Sequence, residues 1–117
     1  MKKDWIHSDD LQWVCMVSDT SASLIEVREW PNDKYIVVIG DEDLSDYTEE
    51  EIVDFIEGYG YESMEKLKQI YPTEWAQVAL ECIFESQPND QYFCTEPFKS
   101  ETEAELYIRD NLIKEDD

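Results

Sequence analysis

The sequence predicts an α+β fold: a small three-stranded antiparallel sheet, with a candidate fourth short strand, covered by about four helices in a single domain over residues 1–117. Three observations predict it. Three β-rich runs, Leu11–Val17, Ser23–Trp30 and Tyr35–Ile39, are joined by two short turn clusters, which makes a meander. Two capping boxes, Thr48-x-x-Glu51 and Ser100-x-x-Glu103, each precede apolar residues at helical spacing. Trp75, Val78, Ala79, Cys82 and Ile83 follow the i, i+3, i+4, i+7, i+8 pattern of a helix.

In chain order, residues 1–10 are polar apart from Trp5 and Ile6, which are expected to tuck a short segment against the fold. Leu11–Val17 reads as a strand, and Ser18-Asp19-Thr20-Ser21 as a turn. Ser23–Trp30 alternates, with Ile25 and Val27 on one face and Glu26 and Arg28 on the other, as a half-exposed strand does. Pro31-Asn32-Asp33 is the second turn. Tyr35–Ile39 is a third strand, ended by Gly40, and Asp41–Tyr47 is read as a loop. Thr48 is the N-cap of a helix whose buried stripe is Ile52, Val53, Phe55, Ile56 and Tyr59, stopped by Gly58 and Gly60. A second helix covers about Ser63–Tyr71, with Met64, Leu67, Ile70 and Tyr71 inward. After Pro72, Thr73–Glu85 is expected to be the central core helix, with Ala76, Leu80 and Phe84 lining a face beside the main stripe. Tyr92–Thr95 is the candidate edge strand, limited by Pro97. The last helix opens at Ser100 and runs to about Leu112, with Ala104, Tyr107, Ile108 and Leu112 inward.

Composition narrows function. Aromatics make up 13% of the chain and hydrophobic residues 42%, so it folds despite a net charge of −21. That charge repels nucleic acid and anionic lipid, and attracts basic surfaces, including those that hold nucleic acid. No window approaches the ~20 apolar residues of a membrane span. Met1-Lys2-Lys3-Asp4-Trp5 has a basic pair but no apolar run after it, so it does not read as a signal peptide. Cys15, Cys82 and Cys94 lie in apolar runs without a C-x-x-C pair, and are expected to be buried, reduced thiols of a cytoplasmic protein.

No catalytic motif stands out, and the expectation is a non-enzyme with no cofactor and no metal. Aligning Asp41 and Asp43 with a calcium loop puts Asp46 where Gly is required and Ile52 where the bidentate Glu is required. The single histidine, His7, reads as an exposed residue near the chain start. With three glycines in all, there is no phosphate-binding loop.

The informative stretch is Asp41–Glu65, with eleven carboxylates and no Lys or Arg. Glu50, Asp54 and Glu57 fall at i, i+4 and i+7, a row with about 6 Å per four-residue step at ~1.5 Å rise per residue. Successive phosphates of a nucleic acid strand are spaced comparably. Asp41, Glu42, Asp43 and Asp46 extend the row beyond the helix N-terminus. These seven residues are the candidate partner-binding site, with Tyr47, Tyr59 and Tyr61 as candidate anchors. Glu49, Glu50 and Glu51 also answer the helix dipole, so Glu50 is the weakest member. A second run without basic residues spans Gln69 to Phe98.

Small size, an aromatic-rich core, this net charge and the lack of a catalytic motif together resemble phage- and mobile-element-encoded anti-defence proteins, among them anti-restriction DNA mimics and anti-CRISPR proteins. The resemblance is one of type, carried by composition across the chain; no motif carries it and no functional residue is transferred. It implies an inhibitor that binds a basic nucleic-acid-binding protein, a nuclease, and blocks its groove without binding nucleic acid itself. The residues leave two other readings open: an immunity protein or antitoxin that neutralises a basic toxin, and an acidic accessory module. They leave oligomeric state open as well.

Overall fold

The computed structural model describes residues 5–9 and 11–113. Its elements are β1 (Ile6–Asp9), β2 (Gln12–Met16), β3 (Ser21–Trp30), β4 (Lys34–Asp43), α1 (Glu49–Glu57), α2 (Met64–Ile70), α3 (Trp75–Ser86), β5 (Phe93–Cys94) and α4 (Glu101–Tyr107). Short 3₁₀ turns at Leu44–Asp46 and Asn89–Gln91 precede α1 and β5. One π-helical turn, Ile108–Leu112, continues α4.

The class is α+β, and the sheet is larger than the sequence predicts. It has five antiparallel strands in the order β1-β2-β3-β4-β5. The N-terminal strand accounts for the difference, since the candidate edge strand within Tyr92–Thr95 forms as β5. Ile6–Asp9, too polar to read as a strand, pairs with β2 (Ile6 opposite Val14, His7 opposite Trp13) through a bulge before Asp9. The His7 ring stacks on the Trp13 indole at 4.6 Å and 2°, a cross-strand pair that holds this edge. At the other edge, Phe93 and Cys94 pair with Ile39 and Val38.

β4 also runs three residues past Gly40. A glycine normally weakens a strand because nothing packs at its position. Here the Tyr92 ring lies where a Cβ would be, filling the gap and leaving no room for any side chain at residue 40. The hairpin from β3 to β4 turns through Asn32 and Asp33, with φ of 67° and 59°. Asn and Asp are the non-glycine residues that best tolerate this left-handed region.

Two compact units divide the chain. The first comprises residues 1–15, 24–40 and 88–117. Its core is Trp13, Ile25, Val27, Val37, Ala104 and Ile108, flanked by Leu11, Tyr35, Phe98 and Tyr107. Ser100 caps α4 by accepting from the Glu103 N–H, but the Glu103 carboxylate reaches the N–H of Lys99 and not that of Ser100, so the second capping box is only half formed.

The second unit comprises residues 16–23 and 41–87, in which α1, α2 and α3 pack on one another. Thr48 and Glu51 form the full reciprocal capping box at the start of α1. Gly58 is the C-cap of α1, and Gly60, with φ of 95°, turns the chain away. Ile52 and Ile56 are buried, Val53 and Phe55 half-buried, and Tyr59 exposed, so the α1 stripe is narrower than predicted. On α2 only Leu67 is fully buried, and Ile70 is 56% exposed where an inward position was expected. On α3, Ala76, Ala79, Leu80, Cys82, Ile83 and Phe84 are buried, while Trp75 and Val78 are partly exposed. The Lys68 ammonium sits 4.4 Å over the partly exposed Trp75 ring.

Gly40→Ala is expected to cost about 1–3 kcal/mol, the usual range for forcing a methyl into a filled site. Urea unfolding checks it. The double change Gly40→Ala with Tyr92→Leu should be less destabilised than the sum of the two single changes, because the clash goes with the ring.

Candidate functional site

Along Asp41–Asp46 the structure separates residues that the sequence lists side by side. Because Asp41–Asp43 belong to β4 and not to a loop, their side chains alternate between the two faces of the sheet. Three consecutive carboxylates on a strand cannot all face one partner.

Asp41 is exposed and accepts a 2.6 Å hydrogen bond from the Ser23 hydroxyl. Glu42 points inward and is only 9% exposed; the Tyr47 hydroxyl donates to its Oε1 at 2.8 Å. Its inclusion in the contact surface is therefore corrected: Glu42 is a buried acceptor. Asp43 caps the Leu44–Asp46 turn, accepting from the Ser45 N–H at 2.9 Å and the Ser45 hydroxyl at 2.8 Å, with Thr20 further off at 3.4 Å. The Ser45 N–H, then the Ser45 hydroxyl, hold the Asp43 carboxyl below the usual carboxylate range.

Besides Asp41, which is held by Ser23, four of the seven candidates are open surface: Asp46 on the 3₁₀ turn, and Glu50, Asp54 and Glu57 on α1. All four are exposed, and among the described residues none of their side chains has a hydrogen bond or an ion pair. The α1 row lies opposite the buried Ile52 and Ile56, and α1 has no basic residue in its last turn. By sequence, this second unit carries fifteen carboxylates against two lysines, a net charge of −13. The first unit carries fifteen against seven basic residues, a net of −8. The charge is concentrated where the row is.

The anchor candidates divide. Tyr47 is half-buried, bonded to Glu42 and packed edge-on against Phe55 at 5.7 Å. Tyr61 is half-buried against Tyr71, with ring centroids 6.1 Å apart. Only Tyr59, 43% exposed, offers an aromatic face to a partner. Sequence reasoning missed the hydroxyl donors Thr20, Ser23 and Ser45. The Asp43-x-Ser45 spacing was the available signal, since Asp side chains bond the backbone two residues on.

None of the three cysteines is in a disulfide; Cys15 and Cys82 are buried as expected, whereas Cys94 is half-buried. Burial, then the charges of Glu85 and Glu81, push the Cys82 thiol up to about 12, so it stays protonated at neutral pH. Among the described residues, no three His, Cys, Asp or Glu side chains are grouped to hold a metal ion, and no helix is long and apolar enough to cross a membrane.

No protein-family model matches the chain, and neither a curated protein nor a solved structure matches it.

Burial, then the bond to Glu42 and its charge, push the Tyr47 phenol up to about 12 from 10.0. A pKa raised in the folded state favours the protonated form. The contribution is thus fully present below pH 10 and is lost as pH rises to about 12. Urea unfolding at stepped pH should show the wild-type advantage over Tyr47→Phe shrinking across that window, and constant below it.

Proposed function

We propose that the chain is a non-enzymatic inhibitor that binds a basic nucleic-acid-binding protein, a nuclease of the CRISPR or restriction kind, and occupies the groove meant for nucleic acid. The observation that carries this reading is the row Glu50, Asp54 and Glu57 with Asp46: exposed carboxylates without hydrogen bonds or ion pairs among the described residues, in the unit with net charge −13.

Such a row works against its own helix. Like charges at i, i+4 destabilise by about 0.2–0.5 kcal/mol per pair, and Glu50 and Asp54 are such a pair. A lysine at either position would relieve the repulsion, and surface lysines are easily accommodated. A surface that keeps carboxylates against helix stability supports a use outside the fold.

A groove of Arg and Lys that reads phosphates can pair with carboxylates in the same geometry, bidentately for Arg. Steering by the field of the unit raises the encounter rate most at low salt. Tyr59 supports the reading from the end of α1, as an aromatic that combines area with a polar tip.

Two outcomes are expected. Asp54→Lys should raise the stability of the free protein by a few tenths of a kcal/mol, since it creates a Glu50–Lys pair in the favourable order. The triple change of Glu50, Asp54 and Glu57 to Lys should abolish capture of candidate nucleases in pull-downs while leaving the circular dichroism spectrum intact. Capture that survives the triple change defeats the row as contact surface. Salt should also act in opposite directions: from low to ~0.5 M it should raise the melting temperature by screening self-repulsion, and weaken the complex. Binding indifferent to salt would defeat the mimicry mechanism.

A further inference from the structure

An open groove of about 390 Å³ lies on the first unit, lined by Phe93, Thr95, Glu96, Pro97, Phe98 and Tyr107. Its volume is within the roughly 300–1,000 Å³ of small-ligand sites. The lining is held firmly. Phe98 exchanges two backbone hydrogen bonds with Tyr35, at 2.6 and 3.0 Å. Thr95 gives its N–H to the Val37 carbonyl at 3.0 Å and receives the Val37 N–H on its hydroxyl at 3.1 Å. Phe98 and Tyr107 meet with ring centroids 5.3 Å apart and planes tilted by 44°. Phe93, on edge strand β5, is 64% exposed, the most exposed large hydrophobic side chain among the described residues. The one charged lining residue is Glu96, exposed and with a carboxylate that has no hydrogen bond or ion pair among the described residues.

We propose that this groove is a docking site for an arginine side chain of a partner protein. Three aromatic rings and one carboxylate set two demands at once. A purely apolar side chain would cover the rings but bring desolvation to an unpaired carboxylate, which is costly. An arginine satisfies both: its alkyl stem lies on apolar surface and its guanidinium faces the acid. The planar guanidinium stacks on aromatic faces and is weakly hydrated, whereas an ammonium is compact and strongly hydrated. A cation within about 6 Å of a ring centroid is attracted by the ring face, and rings 5.3 Å apart place one position within reach of both Phe98 and Tyr107. Charge complementarity excludes the other occupants. A second copy of the chain carries the same −21, and a nucleic acid strand, whose bases could stack here, brings phosphates to Glu96. The site lies in a different unit from the α1 row and does not depend on it.

The test is an NMR titration of the full ¹⁵N-labelled chain with the capped tripeptide Gly-Arg-Gly, compared with Gly-Lys-Gly and Gly-Leu-Gly. Saturable shifts are expected on the amides of Phe93, Thr95, Glu96, Phe98 and Tyr107 with the arginine peptide, and weaker binding of the other two. Glu96→Gln should weaken the arginine peptide by about fivefold, the scale of an exposed ion pair. Phe93→Ala, at a side chain outside the core, should weaken it similarly. Changing Glu50, Asp54 and Glu57 to Gln should leave the shifts in place. Equal or stronger binding of the leucine or lysine peptide would overturn the proposal. So would shifts unaffected by Glu96→Gln, shifts lost with the α1 row, or no shifts at all. The inhibitor reading is tested on the α1 row, so either proposal can fail alone.

Discussion

Thirty carboxylates share this chain with nine lysines and arginines, so the fold must satisfy acids with something other than cations. It uses neutral donors. Asp41 takes the Ser23 hydroxyl, Glu42 the Tyr47 phenol, Asp43 the Ser45 amide and hydroxyl, Glu51 the Thr48 amide, and Glu103 the Lys99 amide. Arg28 pairs with Glu26 at 2.5 Å and also reaches Asn89. Hydrogen bonds to a charged acceptor are roughly twice as strong as neutral ones. They leave the negative charge in place, whereas an ion pair would cancel it. The protein is thereby stabilised locally without being neutralised globally, and its field is preserved.

This way of satisfying acids sorts the carboxylates into those with a local role and those without. The first group sits at strand ends and helix starts, where amides and hydroxyls are at hand. The second includes the α1 row with Asp46 and, separately, Glu96 beside an aromatic groove. Both are exposed, yet they differ in kind. The row is a line of charge with one exposed tyrosine near its end, suited to a long basic groove. Glu96 is a single charge among rings, suited to one cationic side chain. Steering would come from the first and positional specificity from the second.

Local chemistry was the part of the fold most legible in the sequence. Thr48 with Glu51 and Ser100 before α4 announce their helices because capping acts over three or four residues. Features that depend on distant partners were not legible. Gly40 reads as a terminator until Tyr92, far along the chain, is seen to cover it. Ile6–Asp9 reads as a mostly polar segment tucked against the fold, and not as a strand, because its pairing with β2 supplies what its side chains lack. Ile70 reads as inward on helical spacing, but α2 is too short and too lightly covered to bury more than Leu67. The candidate site was half legible for the same reason. The α1 row follows from helical period, whereas the fate of Glu42 was decided by whether Asp41–Asp43 are strand or loop.

The glycine under the Tyr92 ring bears on descent. Residues 40 and 92 lie on two separate stretches of chain, and no side chain fits at residue 40 while the ring at 92 stays. In any lineage of this fold the dependence should run one way: an aromatic ring at 92 only with glycine at 40, and a side chain at 40 only where that ring has gone. That paired signature, Gly in the middle of a β-rich run and an aromatic shortly before a Cys-Thr pair, can persist after surface acids have drifted beyond alignment. It offers a means of recognising remote relatives that overall identity would miss.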